Sequence, residues 1–328
     1  VKTARDLSGT ALTAAPPASI SVVVPVYNSQ ASLPLLIQRL EPVLRSCTSR
    51  FEIILVDDCS NDRSWDVIVD LAQRCPWVRG IRLLRNFGQH NALLCGIRAA
   101  EQEVTVTLDD DLQNPPEEIP RLLEKLAEGY DVVYGTPNKE QHGLWRDLAS
   151  QMTKLALQNA MGAGTARSVS AFRAFRTQVR EAFADYQGPF VSIDVLLTWG
   201  TTNFAAIHVL HDQRRAGVSN YDFRRLITHA LNMMTGFSTL PLQFASLMGF
   251  AFTLFGLGVL LYVVGRYLIE GSIVPGFSFL ASLFAILSGT QLFALGIIGE
   301  YLARMHFRMM DRPTYAVRER VNIDGGLE

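Results

Sequence analysis

The chain has 328 residues, with 30 basic and 31 acidic side chains and a formal net charge of -1, so it lacks the basic surplus of a nucleic-acid binder. That length accommodates one core of roughly 200 residues with a further region beside it. Cys47, Cys59, Cys75 and Cys95 form no C-x-x-C pair, which argues against a zinc site or a disulfide framework and fits a reducing compartment.

Residues 1–19 are rich in Ala, Thr and Pro and carry early charges without an apolar stretch. They read as a mobile tail with no signal peptide, which leaves the following domain on the cytoplasmic side. From Ile20 to Gly135, short β-branched runs alternate with amphipathic segments at the spacing of βαβ units. The predicted strands are Ile20–Val24, Phe51–Val56, Val78–Leu84, Val104–Leu108 and Asp131–Tyr134. Between them, helices are predicted over Ser32–Arg45, Ser64–Cys75, Gln89–Ala100 and Pro116–Glu128. The strand runs are apolar on both faces, as in a parallel sheet covered by helices. A helix over Leu144–Ala160 and strands near Ala171–Phe175 and Phe204–Leu210 complete a domain spanning 20–221.

Asp222–Thr239 places Phe223, Leu226, Ile227, Ala230, Met234 and Phe237 at helical spacing opposite Arg224, Arg225, His229 and Asn232. This predicts an amphipathic segment, 222–241, lying in a membrane interface. Leu242–Gly265 and Phe277–Gly299 are uncharged runs of 24 and 23 residues, each long enough to cross a bilayer. They define a two-span region, 242–303, before a basic tail, 304–328. Arg214, Arg215, Arg304, Arg308, Arg312, Arg318 and Arg320 flank the pair, whereas Arg266 is the lone basic residue between the spans. The positive-inside rule then puts both flanks in the cytoplasm, with the chain in the cell membrane.

Two acidic clusters follow predicted strands: Asp57-Asp58-Cys59-Ser60-Asn61-Asp62 and Asp109-Asp110-Asp111-Leu112-Gln113. Ligands of open α/β sheets bind at such strand ends. Adjacent carboxylates repel one another unless a cation compensates, and Mg²⁺ or Mn²⁺ bridging a diphosphate would do so. A solvated turn capping the next helix is the plainer alternative for a lone triplet. Neither G-x-G-x-x-G after the first strand nor G-x-x-x-x-G-K-[ST] occurs, which disfavours a dinucleotide dehydrogenase and a P-loop NTPase. Val24-Pro25-Val26-Tyr27-Asn28 follows instead, with an aromatic ring and an amide suited to a base and ribose.

These segments, with Arg85-Asn86-Phe87-Gly88-Gln89 and the Leu112-Gln113-Asn114-Pro115-Pro116 extension, resemble the polyprenyl-phosphate branch of family 2 glycosyltransferases. The resemblance runs from about Ile20 to Arg320. It implies a GT-A domain, a Rossmann-like α/β fold with a mostly parallel sheet, that moves a hexose, glucose in the nearest pattern, from a UDP-sugar to a polyprenyl phosphate with inversion. GDP-mannose or a UDP-aminopentose is the alternative donor, and a catalytically inactive membrane scaffold is the alternative of another class. By the same resemblance Pro25, Tyr27, Asn28, Asp58, Asp109 and Asp110 bind the nucleotide. Asp109, Asp111 and Gln113 hold the divalent metal, and Arg173, Arg214 and Arg215 act with Asp109 and Asp111 on the phosphates. The chain departs from the pattern at Ser29, Ser170 and Asn220. Membrane lipid and further copies of the chain, as a homo-oligomer such as a tetramer, are the other implied partners.

Overall fold

The strand Ile20–Val26 (β1) is buried at every position, because its Val-rich run carries apolar side chains on both faces. The computed structural model describes residues 17–137, 169–188, 191–211, 240–270, 276–310 and 312–322. β1 lies between Phe51–Asp57 (β2) and Val104–Thr107 (β4), parallel to both. Val78–Leu83 (β3), Val132–Pro137 (β5), Arg173–Arg176 (β6), Phe204–Val209 (β7) and Val317–Val321 (β8) complete one sheet in the order β7-β5-β6-β4-β1-β2-β3-β8. Two strands run against the rest: β6 pairs antiparallel with β4 and β5, and β8 with β3. The predicted α/β sheet is therefore present, mixed but mostly parallel.

The helices Leu33–Cys47 (α1), Ser64–Arg74 (α2), Gln89–Ala99 (α3) and Ile119–Ala127 (α4) cover the sheet. A fifth, Ile193–Gly200 (α5), was not foreseen. α1 buries Leu33, Leu36, Ile37, Leu40 and Leu44, the 3.6-residue stripe of an amphipathic helix. Each such side chain contributes about 1.5–3 kcal/mol. The predicted fourth helix instead opens as a 3-10 turn, Pro116–Glu118.

α3 packs against β1 and β2, and the approach depends on Gly96. A Cβ there would stand 2.3 Å from Val23 Cγ1 and 3.1 Å from Val56 Cγ2. Gly96→Ala is therefore expected to cost about 1–3 kcal/mol through overpacking, measured as a lower denaturant midpoint.

The region expected as a basic tail is partly sheet. β8 pairs with β3, Trp65 Nε1 donates to Glu319 Oε2 at 2.9 Å, and the Leu84 N–H donates to the Ala316 carbonyl at 2.8 Å. The charged sequence Val-Arg-Glu-Arg-Val suits an edge strand: its Arg318, Glu319 and Arg320 are exposed, while Val317 and Val321 pack against the cores on either face. β8 thereby covers the edge of β3.

Two long helices precede it, Leu240–Glu270 (α6) and Phe277–Met309 (α7), packed on one another. Both predicted spans are helical. Among the described residues one segment, Leu242–Arg266, is long and apolar enough to cross a membrane, and none of its most apolar stretch is buried in the chain. The expected helix Leu144–Ala160 and amphipathic segment 222–239 lie outside the described residues, as do Arg214 and Arg215.

Candidate active site

The chain passes from β3, on one flank of β1, to β4 on the other. The loops leaving β1 and β4 consequently diverge and open a crevice at their C-terminal ends, where sheets of this kind bind ligands. A cleft of about 270 Å³ occupies this place. β1 supplies Pro25 and Val26, and the loop after it supplies Tyr27. Asp58 comes from the loop after β2, and Asn86, Gly88 and Gln89 from the entry to α3. Asp109, Asp110 and Asp111 follow β4.

The loops are held in unusual backbone conformations. Asn28 (φ 56), Cys59 (φ 58) and Leu112 (φ 61) all occupy the left-handed region, at a cost of about 1–3 kcal/mol each for residues other than glycine. They follow β1, β2 and β4 in turn, and cross-links between loops retain them. The Asn28 side-chain oxygen accepts from the Asn61 N–H at 2.8 Å, and the Asn28 N–H donates to Ser60 Oγ at 2.9 Å. Asp110 Oδ2 accepts from the Tyr27 N–H at 3.2 Å and also from the Ser29 hydroxyl. Leu112 is anchored by its buried side chain.

Asp58 is buried, and its two oxygens accept the N–H groups of Phe87 at 2.7 Å and Gly88 at 2.8 Å. Gly88 makes this turn at φ 95, which a side chain would strain. Burial raises the Asp58 carboxyl above its ordinary pKa despite those bonds. Asp109 is half-buried. Burial, then the charges of Asp111 and Asp110, push it up to about 7. Its Oδ1 accepts from Gln89 Nε2 at 2.6 Å.

Among the described residues no three His, Cys, Asp or Glu side chains form a ready-made metal cage. Mg²⁺ and Mn²⁺ held with a diphosphate need only one or two carboxylates. Asp109 and Asp111 provide that number, and the mutual repulsion at Asp109 is what a cation would relieve. The donor set therefore fits such an ion.

The model of glycosyl transferase family 2 matches residues 21–185. The chain belongs to this family. A curated relative of this glycosyltransferase, the undecaprenyl-phosphate 4-deoxy-4-formamido-L-arabinose transferase of Pseudomonas paraeruginosa, is 39% identical over 92% of this chain and 90% of its own. The enzyme of the same name from Pectobacterium atrosepticum is 37% identical, over 93% and 94%. Among solved structures, glucosyl-3-phosphoglycerate synthase from Mycobacterium tuberculosis, in complex with Mn²⁺, UDP and glucosyl-3-phosphoglycerate, aligns with a TM-score of 0.51 at 19% identity. It covers 66% of this chain and 78% of that one, a likeness of fold: the GT-A α/β arrangement.

In this family 2 glycosyltransferase most of the residues expected at the site do meet there. Pro25, Tyr27, Asp58, Asp109, Asp110 and Asp111 all line the cleft. Three take other positions. Asn28 braces the neighbouring loop with its amide and is absent from the lining. Gln113 is half-buried beside the cleft, its N–H donating to Asp111 Oδ1 at 3.1 Å. Arg173 is 1% exposed. It pairs with Asp194 on α5, and its Nε donates to Thr107 Oγ1 at 3.1 Å. Expected to clamp a phosphate, it lies instead behind the acidic loop, because β6 runs alongside β4 and turns its side chain into the core.

Besides Val26, the lining residues with no site role expected from the sequence are Asn86, Gly88 and Gln89. Their signal was the Arg85-Asn86-Phe87-Gly88-Gln89 run at a helix entry. The backbone of this segment binds Asp58 and a side chain binds Asp109, joining the two acidic loops.

Proposed function

We propose that this glycosyltransferase moves a sugar from a nucleotide donor onto undecaprenyl phosphate, with 4-deoxy-4-formamido-L-arabinose as the sugar. The observation that carries this reading is the 39% identity to a transferase of that name over nearly the whole chain, the two long helices included. The relatives' names thus favour the aminopentose alternative over the glucose expected from the wider resemblance.

The cleft supplies what the chemistry demands. A lipid phosphate is already anionic near neutral pH, so its oxygen can attack the anomeric carbon without a strong general base. The bond from that carbon to the donor diphosphate breaks, the electron pair leaves with the nucleoside diphosphate, and a single displacement inverts the configuration. A divalent cation, when bound, would neutralise the departing diphosphate. Asp109 and Asp111 would hold that cation, with Gln113 beside them. Tyr27, 47% exposed at the mouth of the cleft, offers a face for the base, and Asp58 retains lone pairs for a base N–H. Arg214 and Arg215 are assigned to the phosphates on the strength of the resemblance alone. Tyr27→Ala is expected to weaken nucleotide binding about tenfold through lost stacking, read by calorimetric titration with UDP.

The helices suit a lipid acceptor. β8 lies in the same sheet as β1, so a chain that leaves by α6 has to return by α7. Two crossings, with the catalytic domain on the cytoplasmic face, satisfy this, and the active site then stands near the phosphate headgroups. Side-by-side copies are compatible with Gly256, Gly258, Gly296 and Gly299, where an added Cβ would meet no atom within 4 Å.

The decisive experiment supplies undecaprenyl phosphate and the full chain in detergent with radiolabelled UDP-4-deoxy-4-formamido-L-arabinose or UDP-glucose. Label entering the lipid phase from the aminopentose donor is expected. Label from glucose alone would overturn the donor assignment, and none from either would overturn the proposed reaction.

A further inference from the structure

The contact between Gln89 and Asp109 has a chemistry of its own. Gln89 is the first residue of α3 and is exposed at the cleft. Its amide nitrogen donates to Asp109 Oδ1 at 2.6 Å. An N–H pointed at one oxygen of a crowded carboxylate presents partial positive charge where a cation would present full charge. The two demands compete for the same oxygen.

The amide's backbone is not free to drift away. The Phe87 and Gly88 N–H groups are fixed on Asp58, and the Asn91 and Ala92 N–H groups bond back to the Gly88 carbonyl. Gln89 can therefore release Asp109 only by turning its own side chain, which keeps the amide within the cleft.

We propose that Gln89 is a placeholder for the divalent cation: its amide occupies Asp109 in the empty enzyme and passes to the donor diphosphate when the cation arrives. This rests on the reading of Asp109 as a cation ligand. The consequence is coupled binding. Alone, the cation has to displace a charge-assisted hydrogen bond. With a nucleoside diphosphate present, the displaced amide gains a new anionic acceptor, so each ligand strengthens the other.

The test measures Mn²⁺ binding to the full chain in detergent by the resonance signal of the free ion, with and without UDP. The proteins are wild type, Gln89→Leu and Gln89→Asn, the last keeping the amide but falling one methylene short. Gln89 is exposed, so neither change threatens the fold. Without UDP both variants are expected to bind Mn²⁺ about tenfold more tightly than wild type, the scale of a lost charge-assisted hydrogen bond. The factor by which UDP tightens Mn²⁺ is expected to shrink by at least as much. Constants and coupling within twofold of wild type in either variant would overturn the role of Gln89 and leave the cation site standing. Failure of all three proteins to take Mn²⁺ even with UDP would overturn the cation reading, and this inference with it.

Discussion

Replacing Asp109 by Asn is expected to lower sugar transfer by on the order of 10³-fold, the scale of losing a principal stabiliser of developing charge, while making the cation-free protein more stable. The second effect follows from the carboxyl's position among Asp110 and Asp111. Its pKa is raised from 3.8 to about 7. An acid raised in the folded state adds stability below its unfolded pKa, and that stability is lost as pH rises through the folded value. At pH 8 the folded protein therefore carries a penalty of at most about 4 kcal/mol, and solvent in the cleft reduces this to about 2 kcal/mol. Without divalent ions, wild type should melt at a higher temperature at pH 5.5 than at pH 8. The Asn variant should show a flatter dependence and a higher Tm at pH 8. Transfer within tenfold of wild type would remove Asp109 from the leaving-group machinery. An unchanged Tm at pH 8 would mean that the acidic loop is not frustrated.

Arg173→Met should produce the largest loss of stability. The guanidinium is 1% exposed and paired with Asp194, whose Oδ1 also accepts from the Tyr134 hydroxyl at 3.1 Å. Removing one partner leaves a buried carboxylate uncompensated, at about 3–5 kcal/mol. The double variant Arg173→Met, Asp194→Leu removes both charges and should recover most of that loss. Thr107, to which Arg173 donates, stands two residues before Asp109, so even a stable double variant should transfer sugar more slowly. Denaturant melts of the three proteins decide the matter. If Arg173→Met retained wild-type stability and lost affinity for UDP, the arginine would be a phosphate ligand after all.

The sequence exposed the sheet more readily than the site. β1 to β5 were legible because a strand covered on both faces must be apolar throughout, and no other element competed for those runs. β8 escaped because an edge strand has one solvent face, and Arg318, Glu319 and Arg320 read as tail. α5 escaped because eight residues are too few for periodicity to register. At the site, the acidic residues were visible from their repetition after strands. The division of labour among them was not, since bracing and ligand binding use the same side chains. Asp110 and Asn28 are committed to neighbouring loops by contacts over 81 and 33 residues of separation, which no local pattern encodes. Arg173 was found by likeness, and its burial was hidden for the same reason: its partner, Asp194, is 21 residues further on.

The pairing of β8 with β3 also sets an order of assembly. β3 leaves the ribosome more than two hundred residues ahead of its last neighbour, and α6 and α7 are made in between. Until both helices have been made and the chain has come back to the sheet, β3 presents open hydrogen-bonding groups, the kind of edge that recruits other chains. Completion of the sheet thus records that both helices have been made and the chain has returned to β3. A nascent chain stalled before that point would carry its own mark for chaperones or proteases, an uncapped strand.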